Sequence, residues 1–223
     1  MKAVIFDLDG TLVDSAPDIH AALNALLRGI GCQPLSYKTV TSFIGNGIPK
    51  LVERAMRASD IEFEANRHQN LTDVFTSLYT KHPADRTTLY PGVQEALERF
   101  QAQGIALGVC TNKSHTLTLQ VLRALNIDGF FGSVICGDSL PQRKPNPIPL
   151  LECSKQLNAS NVIYVGDSEI DGETARAARL PFVLYTEGYR KKPVDKIPHI
   201  HSFGHFENLF DFVTKTFRIE TSP

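Results

Sequence analysis

Short apolar runs and helical stripes alternate along most of the chain. Residues 2–6 read KAVIF, an apolar run with β-branched members that predicts a buried strand. Carboxylates follow it at once, and Gly10 supplies a turn. Over residues 16–85 the pattern changes to helix. Ile19, Ala22, Leu23, Leu26 and Leu27 fall at helical spacing, with Asp18 as the expected cap just after Pro17. Ile48, Leu51, Val52 and Ala55 repeat the stripe after Gly45-Asn46-Gly47, and Leu71, Val74, Phe75 and Leu78 repeat it again. With no strand pattern in it, this stretch reads as a helical insert of about 70 residues, large enough for a small domain or lid.

From Tyr90 onward strand and helix patterns alternate. Helical stripes are expected at Val93, Ala96, Leu97 and Phe100, at Leu117, Val121, Leu122 and Leu125, and over residues 148–157 and 174–178. Strands are expected at residues 105–110, 134–136, 162–165 and 182–185. Alternation of this kind implies an α/β fold, a Rossmann-like parallel sheet flanked by helices, with the helical insert as an all-helical cap. The expected division is a core of residues 1–15 and 86–223 and a cap of residues 16–85. An apolar-patterned segment over residues 206–217 reads as a terminal helix, and residues 220–223 as a frayed end.

Composition narrows the class. The chain has 223 residues, 42% hydrophobic and 21% charged, with 23 Lys and Arg against 24 Asp and Glu. A net charge of −1 gives no global basic field for nucleic acid or an anionic membrane, though a local site can still hold a small anion. No apolar run approaches the roughly 20 residues of a membrane-spanning helix, and the amino terminus lacks the pattern of a secretory signal. The expected setting is the cytoplasm, and both monomer and dimer are compatible with the chain. Cys32, Cys110, Cys136 and Cys153 are widely spaced and read as free thiols, mostly buried, not as a zinc site.

In open parallel sheets, ligands bind outside the carboxyl ends of the strands. Asp7, Asp9, Thr111, Lys144 and Asp167 all fall at or just after such ends. In an extended chain Asp7 and Asp9 point to one side, where two carboxylates repel unless a cation or proton intervenes. Asp167 adds a third carboxylate after another strand, and Asp171 follows four residues later, one turn into a helix. A cluster of hard oxygen ligands suits Mg²⁺ rather than zinc. Thr111 and Asn112 end a strand and open a helix, a place to hold phosphate. Lys144 lies in Arg143-Lys144-Pro145-Asn146-Pro147, where two prolines restrict the loop and its ammonium would neutralise phosphate and aspartate oxygens together. Each feature alone also fits an acidic turn, a helix cap or a solvated lysine. Their order and placement together are specific.

Here the sequence resembles the haloacid dehalogenase superfamily of phosphatases. The resemblance rests on DLDGTLVDS at residues 7–15, CTN at 110–112, Lys144 before Pro145, and GDSEID at 166–171. It implies a Rossmann-like core with a helical cap inserted after the first motif. It also implies roles: Asp7 as the nucleophile on phosphorus, and Asp9 as the acid that protonates the leaving alkoxide and then activates water. Mg²⁺ would be held by the Asp7 carboxylate, the Asp9 main-chain oxygen and Asp167, with Asp171 behind them. Thr111 and Lys144 would hold the phosphoryl group. A dehalogenase proper needs neither Asp9 as acid nor a metal, which argues against that activity.

A closer resemblance, to bacterial phosphoglycolate phosphatases, rests on Phe43-Ile44-Gly45-Asn46-Gly47, on Leu51-Val52-Glu53-Arg54-Ala55, and on the segment from Gly137 to Pro145. It implies 2-phosphoglycolate as the small phosphorylated metabolite. Gly45, Asn46, Gly47 and Arg54 are then the candidate selecting residues, Arg54 as a partner for a carboxylate. The alternatives are a β-phosphoglucomutase-like phosphotransferase and a phosphatase for a sugar phosphate, pyrophosphate or nucleotide. A receiver-type signalling domain is a further alternative of another class; it needs neither Asp9 nor a cap. His199, His201 and His205 read as a surface cluster before the terminal helix.

Overall fold

The computed structural model describes residues 1–219, so the expected frayed end lies outside the described residues. The chain opens with β1 (Lys2–Phe6), then a short β2 (Val13–Asp14). Four helices follow: α1 (Ala16–Gly29), α2 (Tyr37–Thr41), α3 (Ile48–Ala58) and α4 (Ala65–Lys81). After β3 (Thr88–Leu89) come α5 (Val93–Ala102), β4 (Ala106–Cys110), α6 (His115–Ala124) and β5 (Ser133–Ile135). The chain continues through α7 (Ile148–Gln156), β6 (Asn161–Gly166), α8 (Glu169–Ala178) and β7 (Phe182–Tyr185). It closes with β8 (His201–Phe203) and α9 (Phe206–Ile219).

Six strands form one parallel sheet in the order β5-β4-β1-β6-β7-β8. From β1 the chain builds outward through β4 to β5, then crosses back to β6 on the other side of β1. The order reverses around β1, which opens a crevice at its carboxyl end. Side chains alternate across the sheet as the strand period requires. Val4 and Phe6 enter the core packed by α5, α6 and α9; Ala3 and Ile5 enter the one packed by α7 and α8. Burial on both faces explains why the strands read as continuous apolar runs.

The helical insert has its own apolar cluster, including Leu23, Leu27, Val52, Leu71 and Phe75, to which Leu117 of α6 also belongs. Val74 departs from the expected stripe and is exposed. The connectors of the insert pair with each other: β2 and β3 form an antiparallel ladder with Val13 opposite Leu89 and Asp14 opposite Thr88. Strands of two residues carry no readable period, so the sequence gives no sign of them.

Asp18 does not cap α1 as its position suggested. The helix starts at Ala16, after Ser15, and Asp18 lies inside its first turn. Its buried carboxylate instead accepts the N–H groups of Arg86 and Thr87 at 2.9 and 2.8 Å and the Thr87 hydroxyl at 2.7 Å. This fastens the entry of the insert to its exit. Asp18→Ala leaves those donors buried without an acceptor and is expected to destabilise the protein by about 2–4 kcal/mol in urea unfolding. A change below about 0.5 kcal/mol would show that the clamp contributes nothing.

Two of the three histidines after β7, His199 and His201, have ordinary partners, and His205 is exposed. His201 lies on β8 and stacks on Phe212 with centroids 4.1 Å apart, and the His199 ring meets the Ile197 carbonyl. The four cysteines are free; Cys110, Cys136 and Cys153 are buried, while Cys32 is half-buried. Among the described residues, no helix is long and apolar enough to cross a membrane.

Candidate active site

Asp7 extends β1 by one residue, its N–H donating to the Val165 carbonyl at 2.9 Å. The chain then turns tightly: the N–H groups of Leu12 and Val13 both reach back to the Leu8 carbonyl. The turn ends the extended geometry, so Asp7 and Asp9 do not share one carboxylate cluster as their spacing suggested. Asp7 joins Asp167 and Asp171, with oxygens within 4.8 Å of one another. The Asp9 carboxylate instead accepts the Ser15 hydroxyl at 2.6 Å and the Lys113 ammonium at 2.9 Å. Both Asp7 and Asp9 still border one cavity under the helical insert.

Asp167 follows β6 and is almost wholly buried. The Thr11 hydroxyl donates to one of its oxygens at 2.8 Å and the Tyr189 N–H to the other at 2.6 Å. Backbone packs tightly round it. A Cβ on Gly188 would meet the Gly10 carbonyl at 2.2 Å and Asp167 Cβ at 2.3 Å, and Gly10 itself turns at φ +85°. Asp171 lies in the first turn of α8, where it makes a reciprocal capping box with Ser168. Its other oxygen takes the Tyr164 hydroxyl at 2.8 Å and the Lys144 ammonium at 2.7 Å. Asp171 is thereby committed to holding Lys144.

Lys144 is 5% exposed, a burial that an ammonium tolerates only with partners. The Lys144 nitrogen also lies 2.9 Å from Asp7 Oδ1. That approach is close enough for charge attraction but off the hydrogen-bonding direction, and Asp7 Oδ1 has no hydrogen-bond partner. The two prolines are not the whole restraint on Lys144. Asn112 clamps its backbone, accepting the Lys144 N–H at 3.0 Å and donating to the Lys144 carbonyl at 3.1 Å.

Charge crowding shows in the acidities. Burial pushes Asp7 up to about 6, with Lys144 opposing and Asp171 reinforcing the shift. Burial, then Asp171 and Asp7, push Asp167 well above the usual carboxylate range. Burial alone would raise Asp171 too, but Lys144, with the hydrogen bonds from Ser168 and Tyr164, holds it below its ordinary value. Burial would lower Lys144, yet Asp171 and Asp7 keep it above the normal lysine range.

Thr111 ends β4 with its N–H on the Ile135 carbonyl at 2.9 Å, and it borders the cavity. The helix does not open at Thr111 and Asn112. It begins at His115 behind Ser114, so these residues form a loop at the strand end. The Asn112 side chain donates to the Gly45 carbonyl at 3.1 Å as well as to Lys144, joining core to insert. Gly45 and Gly47 line the cavity, with Ile44 and Ile48 beside them. Asn46 and Arg54 do not line it. The Arg54 guanidinium donates to the Phe43 carbonyl at 2.7 Å and to Asn46 Oδ1 at 2.8 Å, bracing the loop from behind.

Four residues at the site had no part in the sequence reading. Lys113 follows Asn112 directly, and its adjacency to CTN is the signal that was present. Thr11 lies inside DLDGT but gave no separate sign. Tyr164 alternates inward on β6 and looks like core. Tyr189 is far from every motif, yet its hydroxyl reaches Asp14 at 2.6 Å while its N–H holds Asp167.

A parallel sheet that gathers buried carboxylates and a buried lysine at its carboxyl edge, beneath an inserted helical unit, defines a capped α/β enzyme. A family model described as haloacid dehalogenase-like hydrolase matches residues 4–185, and the chain belongs to that family. It is 45% identical to a phosphoglycolate phosphatase of Cereibacter sphaeroides over 96% of this chain and 99% of the relative. It is 42% identical to a phosphoglycolate phosphatase of Rhodobacter capsulatus, over 93% and 94%. A crystal structure of a predicted phosphoglycolate phosphatase from Haemophilus somnus 129pt superposes with a TM-score of 0.88 at 31% identity, covering 97% of this chain and 98% of that one. Family and relatives together make this chain a phosphatase.

Proposed function

We propose that the protein is a Mg²⁺-dependent phosphomonoester hydrolase that works through a phospho-aspartate on Asp7 and takes 2-phosphoglycolate, releasing glycolate and phosphate. The observation that carries this reading is the convergence of Asp7, Asp9, Thr111 and a buried Lys113 on one small cavity, with the Asp167–Asp171–Lys144 cluster beside it. Residues 1–15 and 86–223 act as the catalytic core and residues 16–85 as its cap.

The donor set fits a divalent cation. Three carboxylates crowd together with one ammonium near them, and a buried oxygen of Asp7 lacks a hydrogen-bond partner. Hard oxygen ligands favour Mg²⁺. Asp7, Asp167 and the Asp9 main-chain oxygen would hold it, and bound there it would neutralise charge on the phosphoryl oxygens.

In the first step an Asp7 oxygen forms a bond to phosphorus as the ester P–O bond breaks. The leaving alkoxide takes its proton from Asp9. In the second step Asp9 accepts a proton from water as water attacks phosphorus, and phosphate leaves Asp7. Lys144 and Thr111 hold phosphoryl oxygens, which matters because phosphoryl transfer depends on positioning and charge stabilisation. Splitting the displacement in two lowers each barrier.

The relatives' names support the substrate. The space bordered by Asp7, Lys113 and Gly45 is about 50 Å³, a few waters by the ~10–15 Å³ measure. A panel of 2-phosphoglycolate, a hexose phosphate, pyrophosphate, a nucleotide and p-nitrophenyl phosphate, assayed with Mg²⁺ and with chelator, tests the reading. The expected result is highest kcat/KM for 2-phosphoglycolate and no turnover in chelator, restored by Mg²⁺. Full activity in chelator removes the metal. A tenfold preference for a hexose phosphate or pyrophosphate removes the substrate.

A further inference from the structure

A carboxylate-bearing substrate needs buried donors aimed into the same cavity as the phosphoryl site. The cavity lining contains one cationic residue among the described residues, Lys113. Its side chain is 3% exposed, and the ammonium lies 2.9 Å from Asp9 Oδ1 and 2.7 Å from the Tyr79 hydroxyl oxygen. It also lies over the Tyr79 ring, 4.8 Å from the centroid. An ammonium has three donors, and Asp9 and Tyr79 take two. Tyr79 accepts from Lys113, and its own O–H proton has no acceptor among the described residues. Two buried donors in one cavity are thus left without acceptors, an arrangement that costs free energy until something fills it.

We infer that Lys113 and Tyr79 form the subsite for the carboxylate of the substrate, and that Lys113, not Arg54, sets the preference for a phosphorylated acid. The inference rests on the proposed phosphatase for small phosphorylated acids and assigns its specificity. The geometry matches a short ester. Asp7, Asp9, Thr111, Lys113 and Tyr79 all border one cavity, and Lys113 is joined to Asp9, the proposed acid on the ester oxygen, at 2.9 Å. Burial pushes the Tyr79 phenol up to about 12, so it stays a donor at neutral pH. Ile19, Ile44 and Leu117 make much of the remaining wall apolar, which limits the water that competes for the carboxylate. The ligand chemistry is a small carboxylate joined to the phosphate ester by about one carbon. Arg54 is spent on Phe43 and Asn46. Lys191 is the rival cation: it donates to the Ile44 carbonyl at 3.4 Å and borders a second, smaller cavity with Asp7, Asp9 and Asp167, not the one that Lys113 lines.

The test compares 2-phosphoglycolate with ethyl phosphate, which has the same backbone without the charge. Wild type is expected to prefer 2-phosphoglycolate by about 100-fold or more in kcat/KM. Lys113→Met should cut that preference by about 30- to 1,000-fold, the cost of removing one partner of a buried charge pair. Lys113→Arg should keep part of it. Loss of the Asp9 partner slows both substrates, so the ratio is the readout and a merely structural role would leave it unmoved. A ratio within threefold of wild type in Lys113→Met, or one lost in Lys191→Met instead, overturns the inference. Absence of any preference in wild type overturns the substrate reading itself. Inhibition by glycolate gives a measurement that does not need the lysine variant to fold. Tyr79→Phe keeps the ring packed on Phe75 and should raise the glycolate Ki by about 3- to 10-fold. An unchanged Ki overturns the inference.

Discussion

Asp7→Asn is expected to lower turnover of 2-phosphoglycolate by about 10⁴-fold or more, the scale on which loss of a nucleophile is felt. An amide cannot form the acyl phosphate that the first step requires. Nor does another carboxylate stand ready to replace it. Asp171 is occupied by Lys144, Tyr164 and Ser168. Asp167 is held by Thr11 and Tyr189. Asp9 is held by Ser15 and Lys113. The variant should fold well, because Asn keeps the shape and removes a charge whose burial is the chief cause that raises Asp7. Thermal unfolding in chelator should therefore show Asp7→Asn at least as stable as wild type. Asp9→Asn provides the contrast: a loss of about 10²- to 10⁴-fold, the usual worth of general acid–base help, with the phosphoenzyme still able to form. Turnover by Asp7→Asn within tenfold of wild type would remove Asp7 as nucleophile.

Most of the core was legible because burial on both faces makes its strands near-continuous apolar runs. β1 and β7 were located to the residue, and the others to within a residue or so. The helical insert was legible for the same kind of reason, through stripes such as Leu51, Val52 and Ala55 that share one buried face. Elements too short for a period were not: β2, β3, α2 and β8, the last carrying His201 in a stretch that resembles a surface loop. At the site, Asp7 and Asp167 were legible as carboxylates directly after β1 and β6, whereas Lys144 lies in the loop well beyond β5 and was legible only through its motif. What holds them was not. Tyr189 meets Asp167 across 22 residues of chain and Asp14 across 175, and no local pattern encodes such a meeting. Arg54 looked like a ligand for a carboxylate because composition shows a charge without showing that the neighbouring turn already uses it.

Lys144→Met should cost about 3–5 kcal/mol of stability in chelator and cut kcat/KM by about 10²- to 10³-fold with Mg²⁺. Lys144 is the cation nearest Asp7 and Asp171, which sit 2.9 and 2.7 Å from its nitrogen. Removing it leaves buried carboxylates facing one another with no compensating charge, and takes away the donor that the Tyr164 hydroxyl oxygen accepts at 2.9 Å. A methionine fills the space, so the loss is electrostatic and not a cavity. Added Mg²⁺ should therefore stabilise the variant more than it stabilises wild type, since a cation beside Asp7 and Asp167 returns part of the missing charge. Lys144→Arg keeps the charge but brings a planar group where a compact ammonium fits, so it should recover stability better than activity. Thermal and urea unfolding with Mg²⁺ and with chelator, alongside steady-state assays, separate these effects. If Lys144→Met were as stable as wild type in chelator and within threefold of its activity, Lys144 would be neither the counterion of the cluster nor a holder of the phosphoryl group.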